Sequence, residues 1–338
     1  MPGRISGGRH PARNALSAAL SSLAAQKCGA RIAVVIIDDG SPCGAVHDLY
    51  TQFRKNAGGF EWGYIRRDKP AGEAKGPSCA LNTAVNLLFG RSRDDVEFAE
   101  IPSAATAFSF FCYMHGDDIL PENSVAARVS RFYSRVEENL GAVYGNLRVI
   151  SGRGVRDISY RDFHSMTLLR YYMYLADYFP DHTMMWRREF LEAAANLAHS
   201  EHSRHGPMEL FDPNLCYMED TDASMTSALT AYLTGASIGH VNHIVYEYND
   251  AGEPGSISSG EFTPGAEAFE KRVYAQNLIP DKHFAGSLPK LVREVMRLMK
   301  VNNIKIESFM GHHLFAAADR LASMWSRKQH TRETMADA

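Results

Sequence analysis

The chain has 338 residues, of which 45% are hydrophobic and 22% charged, and its formal net charge is −3. This is the balance of an ordinary globular protein, with no global basic field to draw nucleic acid. No apolar run reaches the ~18 residues of a membrane-spanning helix, and the five cysteines, scattered and without a C-x-x-C pair, read as free thiols in a reducing compartment.

Leu16, Leu20 and Leu23 recur at helical spacing in residues 11–26. Arg4, Arg9 and Arg13 ahead of them resemble the basic start of a secretory leader, but Ser17, Ser21 and Ser22 interrupt the apolar stretch. An amphipathic helix is expected there. Residues 32–37 are continuously apolar and β-branched, the pattern of a strand buried on both faces. A turn from Asp38 to Gly44 leads to a helix over 45–55 and a strand over 60–65. A loop over 72–78, carrying Lys75 and Gly76, enters a helix over about 79–88. Residues 108–114 predict a third strong strand, 121–140 a helix and 142–150 a strand. This alternation implies βαβ units and a mostly parallel sheet flanked by helices.

The second half predicts a short strand over 182–187 and helices over 188–198 and 221–234. A strand over 239–248 follows. Residues 250–265 are rich in Gly, Ser and Pro and read as a loop, and the chain then turns helical. Leu291, Val292, Val295, Met296 and Met299 line one face of the segment 288–300, with Lys290, Arg293, Arg297 and Lys300 beside them. Such a face fits packing on its own domain, a homodimer contact or an anionic membrane surface; packing on its own domain is expected.

Three acidic clusters carry the chemistry. Asp38-Asp39-Gly40-Ser41 ends the first apolar strand, where open α/β sheets bind ligands. A carboxylate there suits a nucleobase N–H or a ribose hydroxyl; a strand-ending Asx turn fits the same residues. His115-Gly116-Asp117-Asp118 ends the third apolar run. Adjacent carboxylates repel unless a cation compensates, and hard divalent cations bridge carboxylates to phosphates. The alternative is that Asp118 or Glu122 starts the helix that Pro121 opens. In Glu219-Asp220-Thr221-Asp222, Asp220 or Asp222 suits a general base for an acceptor hydroxyl, while acidic capping of a helix start, which is very common, is the better account of the cluster taken alone. Lys75-Gly76-Pro77-Ser78, leading to Asn82, has the form of a phosphate-binding loop at a helix start, or of a plain surface loop. Asp181-His182-Thr183 precedes a strand in the same half as the third cluster.

The order of these segments resembles the inverting family 2 glycosyltransferases with the GT-A fold. The resemblance is carried by Ile36-Ile37-Asp38-Asp39-Gly40-Ser41, the Asn82 helix, Gly116-Asp117-Asp118-Ile119-Leu120-Pro121 and Glu219-Asp220-Thr221-Asp222. Gly141-Ala142-Val143-Tyr144-Gly145, His182-Thr183-Met184-Met185-Trp186-Arg187-Arg188-Glu189, and Tyr248 followed by Gly255-Ser256-Ile257-Ser258 add to it. It covers roughly residues 11–260.

The resemblance implies an α/β GT-A domain, Rossmann-like, over 1–260. Its halves would be a nucleotide-sugar half over 1–120 and an acceptor half over 121–260, with a C-terminal helical extension over 261–338. It implies a nucleoside-diphosphate sugar as donor and Mn²⁺ or Mg²⁺ as cofactor. The acceptor would be a saccharide, lipid-linked or small-molecule hydroxyl. Asp39, with Asp38, would contact the nucleotide; Lys75 and Asn82 would lie near the phosphates. Asp118, with Asp117, would hold the metal. Asp220 would be the base, with Glu219 and Asp222 orienting it. The expected location is cytoplasmic, with peripheral contact at the inner membrane face as a second option. The chain departs from the family's pattern in its opening strand, of which only Arg4-Ile5-Ser6 remains, and in the closing segment, which lacks a histidine after its Tyr. His115 stands where the family has an Asp, and Leu81 where it often has an Arg. These departures leave open a catalytically impaired module that binds or assembles. Another nucleotide-using α/β enzyme, such as a sugar nucleotidyltransferase, is the remaining alternative.

Overall fold

The computed structural model describes residues 11–41, 44–56, 59–68, 77–134, 138–152, 154–160, 162, 181–198, 208–215, 218–250, 270 and 279. The first half runs α1 (Pro11–Ala24), β1 (Ile32–Asp38), α2 (Ala45–Asn56), β2 (Phe60–Arg67), α3 (Ser78–Leu88), β3 (Val96–Glu100), α4 (Ser103–Thr106), β4 (Phe110–Phe111) and α5 (Ser124–Ser134). The second half runs β5 (Leu140–Ser151), β6 (Gly154–Ile158), a 3-10 turn at Asp181–Thr183, β7 (Met185–Arg187), α6 (Arg188–Ala198), α7 (Glu219–Thr234) and β8 (Ser237–Asp250).

The architecture is mixed α/β, and the expectation of one mostly parallel sheet is corrected. β1 pairs with β2 in parallel and β2 with β3 antiparallel, forming one sheet. A second sheet has the order β4-β7-β5-β6, with β8 parallel along β5 and the other pairings antiparallel. β7 pairs with Ala142 and Val143 and β6 with Leu147 to Ser151, so the two share one edge of β5 at different heights. The segment expected as a full strand over 108–114 is strand only at Phe110–Phe111, with its ladder on β7. The run is apolar because Tyr113 belongs to the core and Phe108, Phe110, Phe111, Cys112 and Met114 pack against it; apolarity records burial, and only a neighbour in register makes a strand. The helix expected over 121–140 starts at Ser124, because Pro121 to Asn123 close a turn with the Ser124 N–H on the Pro121 carbonyl, 2.8 Å.

Among the described residues, three clusters form the core. Leu20 of α1, Leu49 and Tyr50 of α2, and Val34, Ile36, Trp62 and Tyr64 of the first sheet make one. Phe132 of α5 packs on one face of the second sheet with Val143, Met185 and Val245. The largest cluster joins α3, α6 and α7 to β5, β7 and β8, with Trp186 fully buried. Ile279 is also fully buried in it, so the chain beyond residue 260 contributes to the same core. Apart from Glu270 and Ile279, the helical extension expected over 261–338, with its basic amphipathic segment, lies outside the described residues. Among those residues no helix is long and apolar enough to cross a membrane.

Gly141 shows how tightly α6 lies on β5. A Cβ there would sit 2.1 Å from Phe190 Cδ2, inside the ring's own volume. Phe190 is itself buried. Gly141→Ala is expected to destabilise the fold by about 1–3 kcal/mol through overpacking. Urea unfolding measures it; a midpoint equal to that of the unmodified chain would show that α6 can lift off β5.

Candidate active site

The site is built where the turn after β4 meets β8 and the start of α7. The Ile119 and Glu247 backbones exchange hydrogen bonds at 3.0 and 2.9 Å, an isolated antiparallel bridge that holds the acidic turn against β8. The bridge turns neighbouring carboxylates opposite ways. Asp117 is exposed, whereas Asp118 is 0% exposed. Both Asp118 oxygens are occupied: the Tyr246 hydroxyl donates to Oδ2 at 2.7 Å and the Asn249 N–H to Oδ1 at 2.8 Å. Burial pushes its pKa up to about 6, against the opposing pull of His182 and those two donors.

α7 opens with the third cluster. Met218 before it adopts φ 61, the left-handed region, and is the sole non-glycine residue with positive φ among those described. Such a conformation costs of order 1–3 kcal/mol and persists where the surroundings hold it. The Met218 carbonyl accepts the Asp222 N–H at 3.0 Å, closing the first turn. Glu219 and Asp222 are buried at this positive helix end. The Asp220 side chain stays 14% exposed. Its Oδ1 accepts the Thr221 N–H at 2.7 Å, and its Oδ2 lies 3.2 Å from His182 Nε2.

His182 joins the second cluster to the third. Its ring centroid lies 4.9 Å from that of His115, 5.4 Å from Tyr246, 5.9 Å from Tyr248 and 6.1 Å from Tyr113. The 3-10 turn carrying it is anchored from behind. The fully buried Arg128 donates to the Thr183 carbonyl at 3.2 Å and to Ser124 Oγ at 2.8 Å. The motif arginines next along the chain brace the fold. Arg188 lies over the Phe89 and Phe108 rings and donates to the Thr106 carbonyl; Arg187 lies over Phe110 and Phe132.

The first cluster is held in a separate ionic network. Asp38 and Arg66 are partners in the β1–β2 register. The Asp38 side chain is fully buried and accepts from Tyr64, Arg66 and the Ser41 N–H. Burial works to raise its pKa, but these hydrogen bonds and the Arg66 charge outweigh it and hold the carboxyl low. Neither Asp38 oxygen faces solvent, so a nucleotide contact would fall to Asp39, whose side chain is 28% exposed. Arg67, itself buried, pairs with Asp39 and with Asp95. Asp95 is held at about 2: burial raises it, and bonds from Arg93, Thr83 and Arg67 overcome that.

Asn82 faces inward, with its side chain on the Phe211 backbone. Lys75 lies outside the described residues. Among the described residues no three His, Cys, Asp or Glu side chains gather as a metal-holding group. Asp118 is buried and each of its oxygens already accepts one hydrogen bond, so Asp117 is the more open of the pair toward a cation. Asp117 fits a cation that takes most of its ligands from phosphate and water.

The acidic residues and His182 are marked in the sequence by their places at element ends, whereas several of their partners are not. Arg66-Arg67 end the strand next to Asp38-Asp39 in matching order, a signal visible once the two strands are paired. Tyr246 stands two residues before the motif residue Tyr248 on one strand, so the two share a face. Asn86 stands one helical turn beyond Asn82. No signal in the sequence marks Arg128 as buried. In comparisons with known proteins, no family model matches this chain and no curated protein matches it.

Proposed function

We propose that this chain is an inverting glycosyltransferase of GT-A type, moving a sugar from a nucleoside-diphosphate sugar to an acceptor hydroxyl. The observation that supports it best is the setting of Asp220. Its carboxylate is partly exposed, fixed through one oxygen by the Thr221 N–H and faced at the other by His182, beside the Asp117–Asp118 turn. A general base needs an accessible oxygen held at a set angle, and here fixed donors give that angle.

In this reading the acceptor hydroxyl gives its proton to Asp220 as its oxygen bonds to the anomeric carbon. The bond from that carbon to the diphosphate breaks, and the nucleoside diphosphate leaves with the electron pair. Asp117 would hold Mn²⁺ or Mg²⁺, which supplies positive charge against the departing diphosphate. Asp39 would meet the nucleotide, with Arg67 fixing its orientation.

A second reading, a catalytically impaired module acting as a binding or assembly partner, is favoured by one specific observation. Asp118, the expected metal ligand, is sealed by Tyr246 and Asn249, and His115 replaces the carboxylate before it. A screen of nucleotide sugars with Mn²⁺ and with Mg²⁺, read as released nucleoside diphosphate, separates the readings. Calorimetry with UDP, GDP and dTDP accompanies it. Binding with release is the expected result. Binding without release for every donor and acceptor tried favours the impaired module, and no binding of any nucleotide refutes the proposal.

A further inference from the structure

Helix α3 carries a polar stripe that the reaction as described does not use. Ser78, Asn82 and Asn86 recur four residues apart, so they line one face, and all three are buried. Each grips backbone in the segment 208–215. Asn86 Nδ2 donates to the Met208 carbonyl at 2.7 Å, and the Met208 N–H returns to Asn86 Oδ1 at 2.8 Å. Asn82 makes the same pair with Phe211, at 2.7 and 3.1 Å. Ser78 Oγ donates to the Leu215 carbonyl at 3.1 Å. The segment therefore runs antiparallel to the helix.

These are strand-like bonds made by side chains. Residues 208–215 belong to no sheet, so their buried amides need partners from elsewhere. A carboxamide presents one donor and one acceptor with the spacing of a peptide group, and two of them in register act as a rung pair. Met208, Leu210, Phe211 and Leu215 are buried alongside.

Two of its three rungs, at Leu215 and Phe211, lie toward the Asp220–His182 pair. Beyond Leu215 the chain enters the left-handed Met218 and the first turn of α7, which carries Asp220. The Phe211 ring meets Tyr113 edge-on at 5.3 Å, and Tyr113 is in ring contact with His115 and His182. One helix face thus holds Leu215, three residues before Met218, and the Phe211 backbone, whose ring packs on the Tyr113 wall beside the imidazole.

We propose that Ser78, Asn82 and Asn86 are positioning residues that set Asp220 against His182. The proposal rests on Asp220 being the base; the bonds themselves do not depend on that. The test uses the full chain with Asn82→Ala, Asn86→Ala and, as the mildest change, Ser78→Ala. Hydrogen exchange should show the Met208 and Phe211 amides losing protection by roughly tenfold or more in the Asn variants. The Thr221 amide, which is bonded to Asp220, should lose protection with them, while those of Val34 and Ile36 keep theirs. Steady-state rates should show kcat falling roughly tenfold or more with the donor KM little changed. Asn82→Gln keeps both polar groups but lengthens the arm, so it should restore protection at Phe211 without restoring kcat. Released Met208 and Phe211 amides beside an unchanged Thr221 amide would overturn the proposal. If the unmodified chain transfers no sugar, the glycosyltransferase reading fails while exchange at Thr221 still decides the link. Should the Asn variants not fold, Ser78→Ala decides it by the same Thr221 reading.

Discussion

Asp220→Asn is expected to lower sugar transfer by roughly 10²–10⁴-fold, the usual worth of a positioned proton acceptor. The substitution is isosteric. The amide oxygen can still accept the Thr221 N–H, and the amide nitrogen can face His182 across the 3.2 Å gap. What disappears is the ability to take a proton. Nucleotide affinity should therefore stay within about twofold, because Asp39 and Asp117 are untouched, and the loss should appear in kcat. Turnover equal to that of the unmodified chain would remove Asp220 as the base and turn attention to His182 beside it.

The second large effect concerns stability and pH. The Asp118 carboxyl, sealed between Tyr246 and Asn249, sits at about 6 against 3.8 for a free group. Between those values the folded chain holds a proton that the unfolded chain has released. Its stabilising contribution is complete below about pH 4 and is lost as pH rises through about 6. The difference of about two pH units corresponds to about 3 kcal/mol. Urea unfolding of the metal-free protein should show this fall superimposed on the other titrations, and Asp118→Asn, neutral throughout, should lack it. The charges that face Asp118 are His182, which favours ionisation, and Asp117, which opposes it. Equal pH slopes for both proteins between pH 4 and 7 would show that the buried carboxyl does not titrate differently from the unfolded one.

Much of the local structure was legible in advance. The β-branched run at 32–37 and the leucine spacing in 11–26 each predicted an element that is present at nearly the same bounds. β3 and β6 were missed: β3 mixes exposed and half-buried positions, and β6 lies exposed along one edge of β5. Their sequences carry little apolar pattern, and pairing with a neighbour makes them strands. The same cause limited the reading of sheet direction. Strand order depends on which edges meet, and β7 and β6 divide one edge of β5 in a way that no periodicity encodes.

At the candidate site the sequence by itself determined which residue types stand at element ends: acidic pairs after apolar runs, an acidic helix start, and a histidine ahead of a short strand. These are local facts, fixed by composition over a few residues. Tertiary structure alone decided which of them face outward. Asp117 and Asp118 are the same side chain on adjacent residues, yet β8 seals one with a tyrosine and a backbone amide and leaves the other in water. Asp220 lies far along the chain from His182, and the two meet because α7 and the 3-10 turn pack together. Asn82, expected near phosphate, holds the Phe211 backbone instead. The physical reason is common to all three. A polar group's role is set by whether it keeps water or exchanges it for a partner, and the partners here come from distant segments that only folding brings within hydrogen-bonding distance.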